Sequence, residues 1–378
     1  MKLVKARAIS MLIAATIGGW AAQPAVAQQA ISPQPVVVAT GLEGPRGLRF
    51  GPDGDLYVAE AGTGGTNSTA GMCTQVPSPP GPYTGGLTAR ISKISGNGTR
   101  TTVASGFPST ISAGGTIGVA DVLFLNNALY ALVAGGGCSH GNPNSPSGIA
   151  IVDVKTGDWH LIADIGAWLK THPTKYESTD DFEPDGTLYS MISAFGEIVA
   201  VEPNHGQVIG VTTGGQIRQI IDISAAEGHI VPTSITERDG SYYVGNLNLF
   251  PIDPQWARIL TISNRASPPN DAPGFGNDGN GYHIVDSKAG FTTVVAVKFG
   301  PDGLLYALEL SDGPGNPGLG LGKVVRVTHA GAIEDVVTGL SVPTGMTFGP
   351  DGALYVSNLG AAPAGAGQVL KFVIPPGW

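Results

Sequence analysis

Short apolar runs separated by clusters of Gly, Pro, Asp and Asn recur along the chain, and one such pattern repeats. Gly51-Pro52-Asp53-Gly54-Asp55-Leu56-Tyr57-Val58 returns as Gly300-Pro301-Asp302-Gly303-Leu304-Leu305-Tyr306-Ala307 and as Gly349-Pro350-Asp351-Gly352-Ala353-Leu354-Tyr355-Val356. A fourth copy reads Glu183-Pro184-Asp185-Gly186-Thr187-Leu188-Tyr189, and weaker ones are centred on Tyr130 and Tyr243. Asp-Gly or Asn-Asn between two apolar runs supplies the positive φ angles of a tight turn, and the run that follows alternates with the pleat. Each copy therefore predicts a hairpin joining a strand a to a strand b. A Gly-rich stretch then leads to strands c and d, as in 89–94 and 101–104. Repeat tyrosines 49 to 73 residues apart match propeller blades carrying insertions. The predicted fold is all-β: a six-bladed β-propeller of four-stranded antiparallel blades. Val36-Val37-Val38-Ala39-Thr40-Gly41-Leu42 resembles Val336-Val337-Thr338-Gly339-Leu340, a strand d, whereas the last copy lacks a strand d. The N-terminal strand is thus expected to complete the last blade and close the ring.

Strand order decides where loops go. The a–b and c–d turns lie on one face and are short; the b–c and d–a loops lie on the other and hold the insertions, 61–87, 106–118, 135–147, 164–178, 247–256, 264–290 and 311–322. Long loops on one end of a rigid scaffold are where binding sites collect. The residues ending the six b strands on that face are Glu60, Val133, Ile192, Asn246, Glu309 and Asn358, and the d–a approaches add Glu43, Arg46, Asp121, Asp180, Asp181, Thr233 and Thr344. Glu43, Arg46, Glu60, Asp121, Asn246, Glu309 and Asn358 are the candidate ligand-binding residues. Glu43, Asn246, Glu309 and Asn358 could supply oxygen ligands for calcium, or could instead satisfy backbone groups and water.

Composition refines this. With 57 Gly and 29 Pro in 378 residues, long helices are excluded. A net charge of -9, with no basic run beyond the N-terminus, argues against a nucleic-acid partner. Residues 1–27 read as a signal peptide: Lys2, Lys5 and Arg7, an apolar stretch, then Ala25-Val26-Ala27 before Gln28. The propeller then occupies 28–378, secreted or periplasmic, with no transmembrane anchor after cleavage. In an oxidising compartment Cys73 and Cys138, in b–c loops of neighbouring blades, are expected to form a disulfide. A disulfide would also deny His140 a thiolate partner at Cys138. The Gly-x-Gly-x-x-Gly matches at 313–318 and 274–279 sit in loops, so no helix N-terminus follows to bind a phosphate. Asn277, Asp278 and Asn280 lack the rest of an EF-hand, and His160 and His205 read as structural or solvated.

The runs 36–61, 231–263, 291–311 and 342–358 resemble the ScyD/ScyE family of secreted six-bladed propellers, which are similar to NHL-type repeats. That resemblance implies association, in some members, with synthesis of the extracellular pigment scytonemin, and no defined reaction. Tyr176-Glu177-Ser178-Thr179-Asp180-Asp181 departs from the family's usual Asn-Pro-Tyr type entry. The function expected is binding of a small molecule or a protein partner on the loop-rich face. Two alternatives stand beside it. One is a calcium-dependent lactonase or arylesterase, because Glu43-Gly44-Pro45 resembles the metal-binding Glu-x-Pro entry of those enzymes, although Val119, Ser178, Thr233, Val295 and Thr344 occupy the other entries. The other is an extracellular interaction scaffold.

Overall fold

The hairpin signals become strands. In the computed structural model, β1 (Val36–Leu42) precedes blade 1, formed by β2 (Pro45–Phe50), β3 (Leu56–Glu60), β4 (Thr84–Ile94), β5 (Arg100–Ser112) and a short β6 (Gly115–Ile117). Blade 2 comprises β7 (Val119–Leu125), β8 (Ala128–Val133), β9 (Gly148–Val152) and β10 (Trp159–Asp164). Blade 3 comprises β11 (Ser190–Ala194), β12 (Glu197–Glu202), β13 (Gln207–Val211) and β14 (Ile217–Asp222). Blade 4 comprises β15 (Pro232–Arg238), β16 (Ser241–Asn246), β17 (Ala257–Ser263) and β18 (His283–Phe291). Blade 5 is β19 (Val294–Phe299), β20 (Leu305–Glu309), β21 (Gly322–Val327) and β22 (Ile333–Leu340). Blade 6 is β23 (Gly345–Phe348), β24 (Leu354–Asn358) and β25 (Gly367–Phe372), completed by β1. The described residues are 33–78, 80–179, 182–264 and 281–374, all within one unit, Ser32–Trp378. The expected signal peptide, Asp180, Asp181 and the Asn277–Asn280 loop lie outside them.

β1 pairs antiparallel with β25, Val36 opposite Lys371 and Leu42 opposite Gly367, so the last blade takes its outer strand from the N-terminal segment. The first strands β2, β7, β11, β15, β19 and β23 pack against one another in ring order, with β23 returning to β2. The core is accordingly divided into radial slabs between blades. One joins Tyr57 and Ile91 to Val122 and Ala150, another joins Leu42 and Val369 to Leu48 and Val58, and each of the others likewise spans two adjacent blades.

The repeat's residues have physical jobs. Asp53, Asp302 and Asp351 each accept a backbone N–H two residues on, at 3.1–3.2 Å, and the tyrosine hydroxyl four residues on, at 2.8–3.0 Å. The leading glycine lets that ring lie against the turn: a Cβ on Gly300 would sit 2.5 Å from Tyr306. A phenylalanine ending the first strand of the next blade meets the ring edge-on, as in Tyr57–Phe124 and Tyr306–Phe348. Asn126 and Asn127 both take positive φ, as the weaker copy requires.

Three expectations need correction. The segment 264–290, expected among the b–c and d–a loops, instead runs from the third to the fourth strand of blade 4 and includes most of β18. The fourth copy is not an a–b hairpin: Pro184-Asp185-Gly186 precedes the first strand of blade 3, and the true a–b turn is Phe195-Gly196, both at positive φ. Ile192 therefore lies in a first strand, not at the end of a second one. The segment 106–118, expected as a loop, is largely strand: Ile111, Thr110 and Ser109 pair with Thr84, Gly85 and Gly86, and Thr110 pairs with Ile117. Its Thr- and Ile-rich alternation favours strand. The short helices α1 (Ile165–Leu169) and α2 (Ser224–Glu227) sit in d–a connections. Among the described residues no helix is long and apolar enough to cross a membrane.

Candidate functional site

The polar residues ending the second strands stay within their own blades. Glu60 is fully buried; its carboxylate accepts the Glu43 N–H at 2.7 Å, Arg90 at 3.1 and 3.2 Å, and the Ser92 hydroxyl. Glu309 accepts the Thr292 N–H at 2.7 Å, and Asn358 accepts the Ser341 N–H at 2.8 Å. In all three cases the donor lies 17 residues upstream, in the d–a connection entering the same blade. Asn246 donates to the Ile230 carbonyl at 2.9 Å and accepts from the Arg258 N–H at 2.7 Å. Each side chain staples the approach of its blade to the end of the second strand. The remaining approach residues are similarly engaged: Thr233 and Thr344 donate to carbonyls of Val294 and Pro45 in the next blade, and Glu43 pairs with Arg90 at 3.2 Å. Glu43, Asn246, Glu309 and Asn358 come from four separate connections or strands. Among the described residues no group of three or more His, Cys, Asp or Glu side chains could hold a metal ion. In this structure Asn246, Glu309 and Asn358 hold backbone groups of their own blades and Glu43 is paired with Arg90.

Arg46 and Asp121 do not pair with each other; both lie near Tyr189. Arg46 donates to the Thr116 carbonyl and contacts Tyr189, whose hydroxyl donates to the Thr344 carbonyl at 3.3 Å. Burial lowers the pKa of Arg46 and raises that of Tyr189. The shift in the fourth repeat explains why Tyr189 is here: it precedes a first strand rather than lying within a second one. Asp121 is buried against Gly47, where a Cβ would lie 2.0 Å from its carboxylate. The axial cavity that Asp121 and Tyr189 border is about 30 Å3, space for about one water molecule.

A cavity of ligand size lies on the loop-rich face instead. It measures about 380 Å3 and is lined by Cys73, Thr74, Cys138, Leu169, Lys170, Pro173, Glu177, Phe182, Pro184, Asp185 and His205. The expected disulfide, Cys73–Cys138, forms one side, and Asn67 and Thr69 add bonds from the first loop to Gly141 and Cys138. Asp185 joins the second loop to the entry of blade 3: it accepts the Ser139 N–H and hydroxyl at 2.7 Å each and Lys170 at 2.6 Å. Gly137 is required beside it, at φ 100° with a hypothetical Cβ 2.2 Å from the Asp185 carboxyl carbon. Burial works against the Asp185 charge, but Lys170 and Ser139 outweigh it and its pKa is lowered.

Two imidazole–carboxylate pairs back this wall. His140 is fully buried, with Nδ1 2.7 Å from the Gly136 carbonyl and Nε2 3.1 Å from Glu183. A carbonyl only accepts, so Nδ1 carries a proton. Burial opposes the imidazolium, yet Glu183 prevails and the pKa of His140 is raised. His205 faces the cavity, its Nδ1 3.0 Å from Glu202, which also accepts the N–H groups of Thr187 and His205 at 3.0 and 2.7 Å. Despite burial, this pairing raises the pKa of His205 and lowers that of Glu202. The cavity thus presents the Lys170 ammonium, the His205 imidazole and two carboxylates, Glu177 and Asp185, around apolar Leu169, Phe182 and two prolines. None of these was singled out as a site residue in the sequence; the usable signal was a long d–a connection facing a cysteine-bearing loop.

The sequence matches no family model, and no curated protein matches it. Its fold is similar to those of solved six-bladed propellers. A gluconolactonase from Xanthomonas campestris is 10% identical, with 91% of this chain and 90% of that one covered and a TM-score of 0.51. A calcium-binding regucalcin from Agrobacterium tumefaciens is 13% identical, covering 90% and 94%, TM-score 0.53. A protein of unknown function from Bacteroides thetaiotaomicron is 10% identical, covering 89% and 75%, TM-score 0.53. These likenesses establish the fold alone.

Proposed function

We propose that this is an exported binding propeller of the ScyD/ScyE kind, which takes up a small amphiphilic organic molecule in the cavity beside Cys73–Cys138. The observation that carries this reading is the cavity itself, at about 380 Å3 within the range typical of small-molecule sites, ~300–1,000 Å3. Its walls join apolar surface to fixed charges, and a disulfide and the Asp185 bonds tie its loops together, which reduces the ordering entropy lost on binding. Export fits the disulfide. The test uses 8-anilinonaphthalene-1-sulfonate, an apolar ring system with one anionic group. Its fluorescence should titrate to saturation at one site, and Phe182→Ala or Lys170→Glu should weaken it about tenfold or more. Non-saturable binding, or binding unchanged in both variants, removes the proposal.

A metal-dependent lactonase is the second reading, favoured by the Glu43-Gly44-Pro45 entry and by the shared fold of the gluconolactonase and regucalcin. It requires lactone hydrolysis that EDTA and Glu43→Gln both abolish; hydrolysis surviving both eliminates it.

A further inference from the structure

The axial cavity has a second character, independent of the loop-face site. Its lining brings Arg49 from β2, Asp121 from β7, Ser190 from β11, Ser234 from β15 and Lys298 from β19 around about 30 Å3. Asp121 is largely committed elsewhere: it accepts the Val122 and Met191 N–H groups at 2.9 and 3.0 Å and stands 3.8 Å from Arg49. Arg49 spends one Nη2 donor on the Met191 carbonyl at 3.1 Å, while its buried Nε has no partner. The Ser190 and Ser234 hydroxyls are also buried without partners, and Ser234 is 1% exposed. The lumen therefore gathers unpaired donors and two basic side chains, Arg49 and Lys298, against one carboxylate, inside a chain whose overall charge is -9. Buried polar groups are ordinarily satisfied, so a cluster of unpartnered donors around one void calls for an acceptor there.

We propose that this cavity is a site for one small monovalent anion of chloride size, held between Arg49 and Lys298. A monatomic anion accepts from donors in any direction, as this converging set demands, and its charge balances the excess lining cation. Tetrahedral oxyanions are too large for the space. The site links first strands of blades 1 and 5, so the bound ion acts as an electrostatic clasp across the axis.

The proposal gives a direction with pH. Burial, followed by the Arg49 charge, pulls the Lys298 pKa down to about 7, Asp121 acting the other way. The other titratable groups facing it are Tyr189 ahead of β11 and Arg46 beyond; β15 and β23 contribute none to the lining. Because the anion favours protonated Lys298, affinity should fall by up to about tenfold per pH unit above 7, with Arg49 keeping a residual site.

The test is direct. Crystals grown in sodium bromide should show an anomalous peak between Arg49 and Lys298. In solution, the unfolding midpoint should rise saturably as gluconate is replaced by chloride at constant ionic strength, more at pH 6 than at pH 9. Lys298→Met should lower chloride affinity about tenfold or more at pH 6. A cavity without an anomalous bromide peak, or a midpoint that follows ionic strength alone, overturns the proposal, and both readings use the unmodified protein, so they stand even where the variant fails to fold.

Discussion

The staple made by Glu60 offers the sharpest test of whether the polar strand ends are structural. In Glu60→Gln one oxygen becomes an NH2 that cannot accept. The Ser92 hydroxyl can rotate to accept instead, so the least costly orientation places the amide nitrogen at the position that now takes Ser92 and Arg90 Nε. What is lost is one charge-assisted bond and the countercharge of Arg90, whose side chain is 22% exposed and keeps Glu43 at 3.2 Å. A charge-assisted bond is worth about 1.5–3 kcal/mol. Adding a discounted share for the partly exposed, partly paired guanidinium gives a loss of about 2–4 kcal/mol. With an m value of about 3 kcal/mol/M for urea in a chain of this size, the midpoint should drop by roughly 1 M. Glu309→Gln is the control. Its carboxylate takes a backbone N–H that an amide oxygen can equally accept, and its pKa is raised by burial, so its charge is already disfavoured. That variant should move by less than about 1 kcal/mol. Equilibrium urea unfolding of ligand-free protein decides the matter. If Glu60→Gln matches or exceeds the wild-type midpoint, the residue is held at a stability cost, as binding residues are, and the staple assignment fails.

Other expectations follow from the same geometry. Replacing Cys73 and Cys138 by Ser opens a closure of 65 residues, and the chain-entropy estimate puts the loss at about 4 kcal/mol; an unchanged chemical-denaturation midpoint refutes it. For Glu202–His205, the raised histidine pKa adds stability that is complete below 6.5 and lost as pH rises through the folded value. The lowered glutamate pKa adds stability complete above 4.5 and lost as pH falls through its folded value. The stability difference between wild type and His205→Asn should therefore peak between pH 4.5 and 6.5, and a difference flat from pH 4 to 9 contradicts the pairing. Gly300→Ala should cost about 1–3 kcal/mol by overpacking the Tyr306 ring, whereas Gly54→Ala meets no atom within 4 Å and pays only for its positive φ. N-terminal sequencing of exported protein should begin at Gln28.

Much of the architecture was legible because its causes are local. An Asp-Gly turn with a tyrosine four residues on from the aspartate specifies a hairpin through contacts spanning few residues, and three copies do so with the same bonds at 53, 302 and 351. Ring closure was legible too, since β1 and the missing strand of blade 6 are complementary remnants of one pattern. The fourth copy shows the limit of such reasoning. Pro184-Asp185-Gly186 forms a turn, but a turn does not encode which end of a strand it serves, and here Asp185 is occupied by Ser139 and Lys170 rather than by a tyrosine.

The candidate site divides along the same line. Residue type and strand phase identified Glu60, Asn246, Glu309 and Asn358 as polar strand ends, yet a carboxylate that caps a backbone N–H and one that waits for a ligand have the same sequence. Only packing distinguishes them. The loop-face cavity draws on segments near 73, 138, 169–185 and 205, and the axial cavity on first strands from five blades. From its sequence this chain determined five of its six first hairpins, a closed ring and a face bearing long loops, because those depend on short-range turn chemistry and periodicity. Which polar groups are spent and which remain unpaired was decided by the tertiary structure, because hydrogen-bond satisfaction depends on neighbours that other strands and loops supply, from 17 residues away for Glu60 and Glu43 to 70 for Asp121 and Met191.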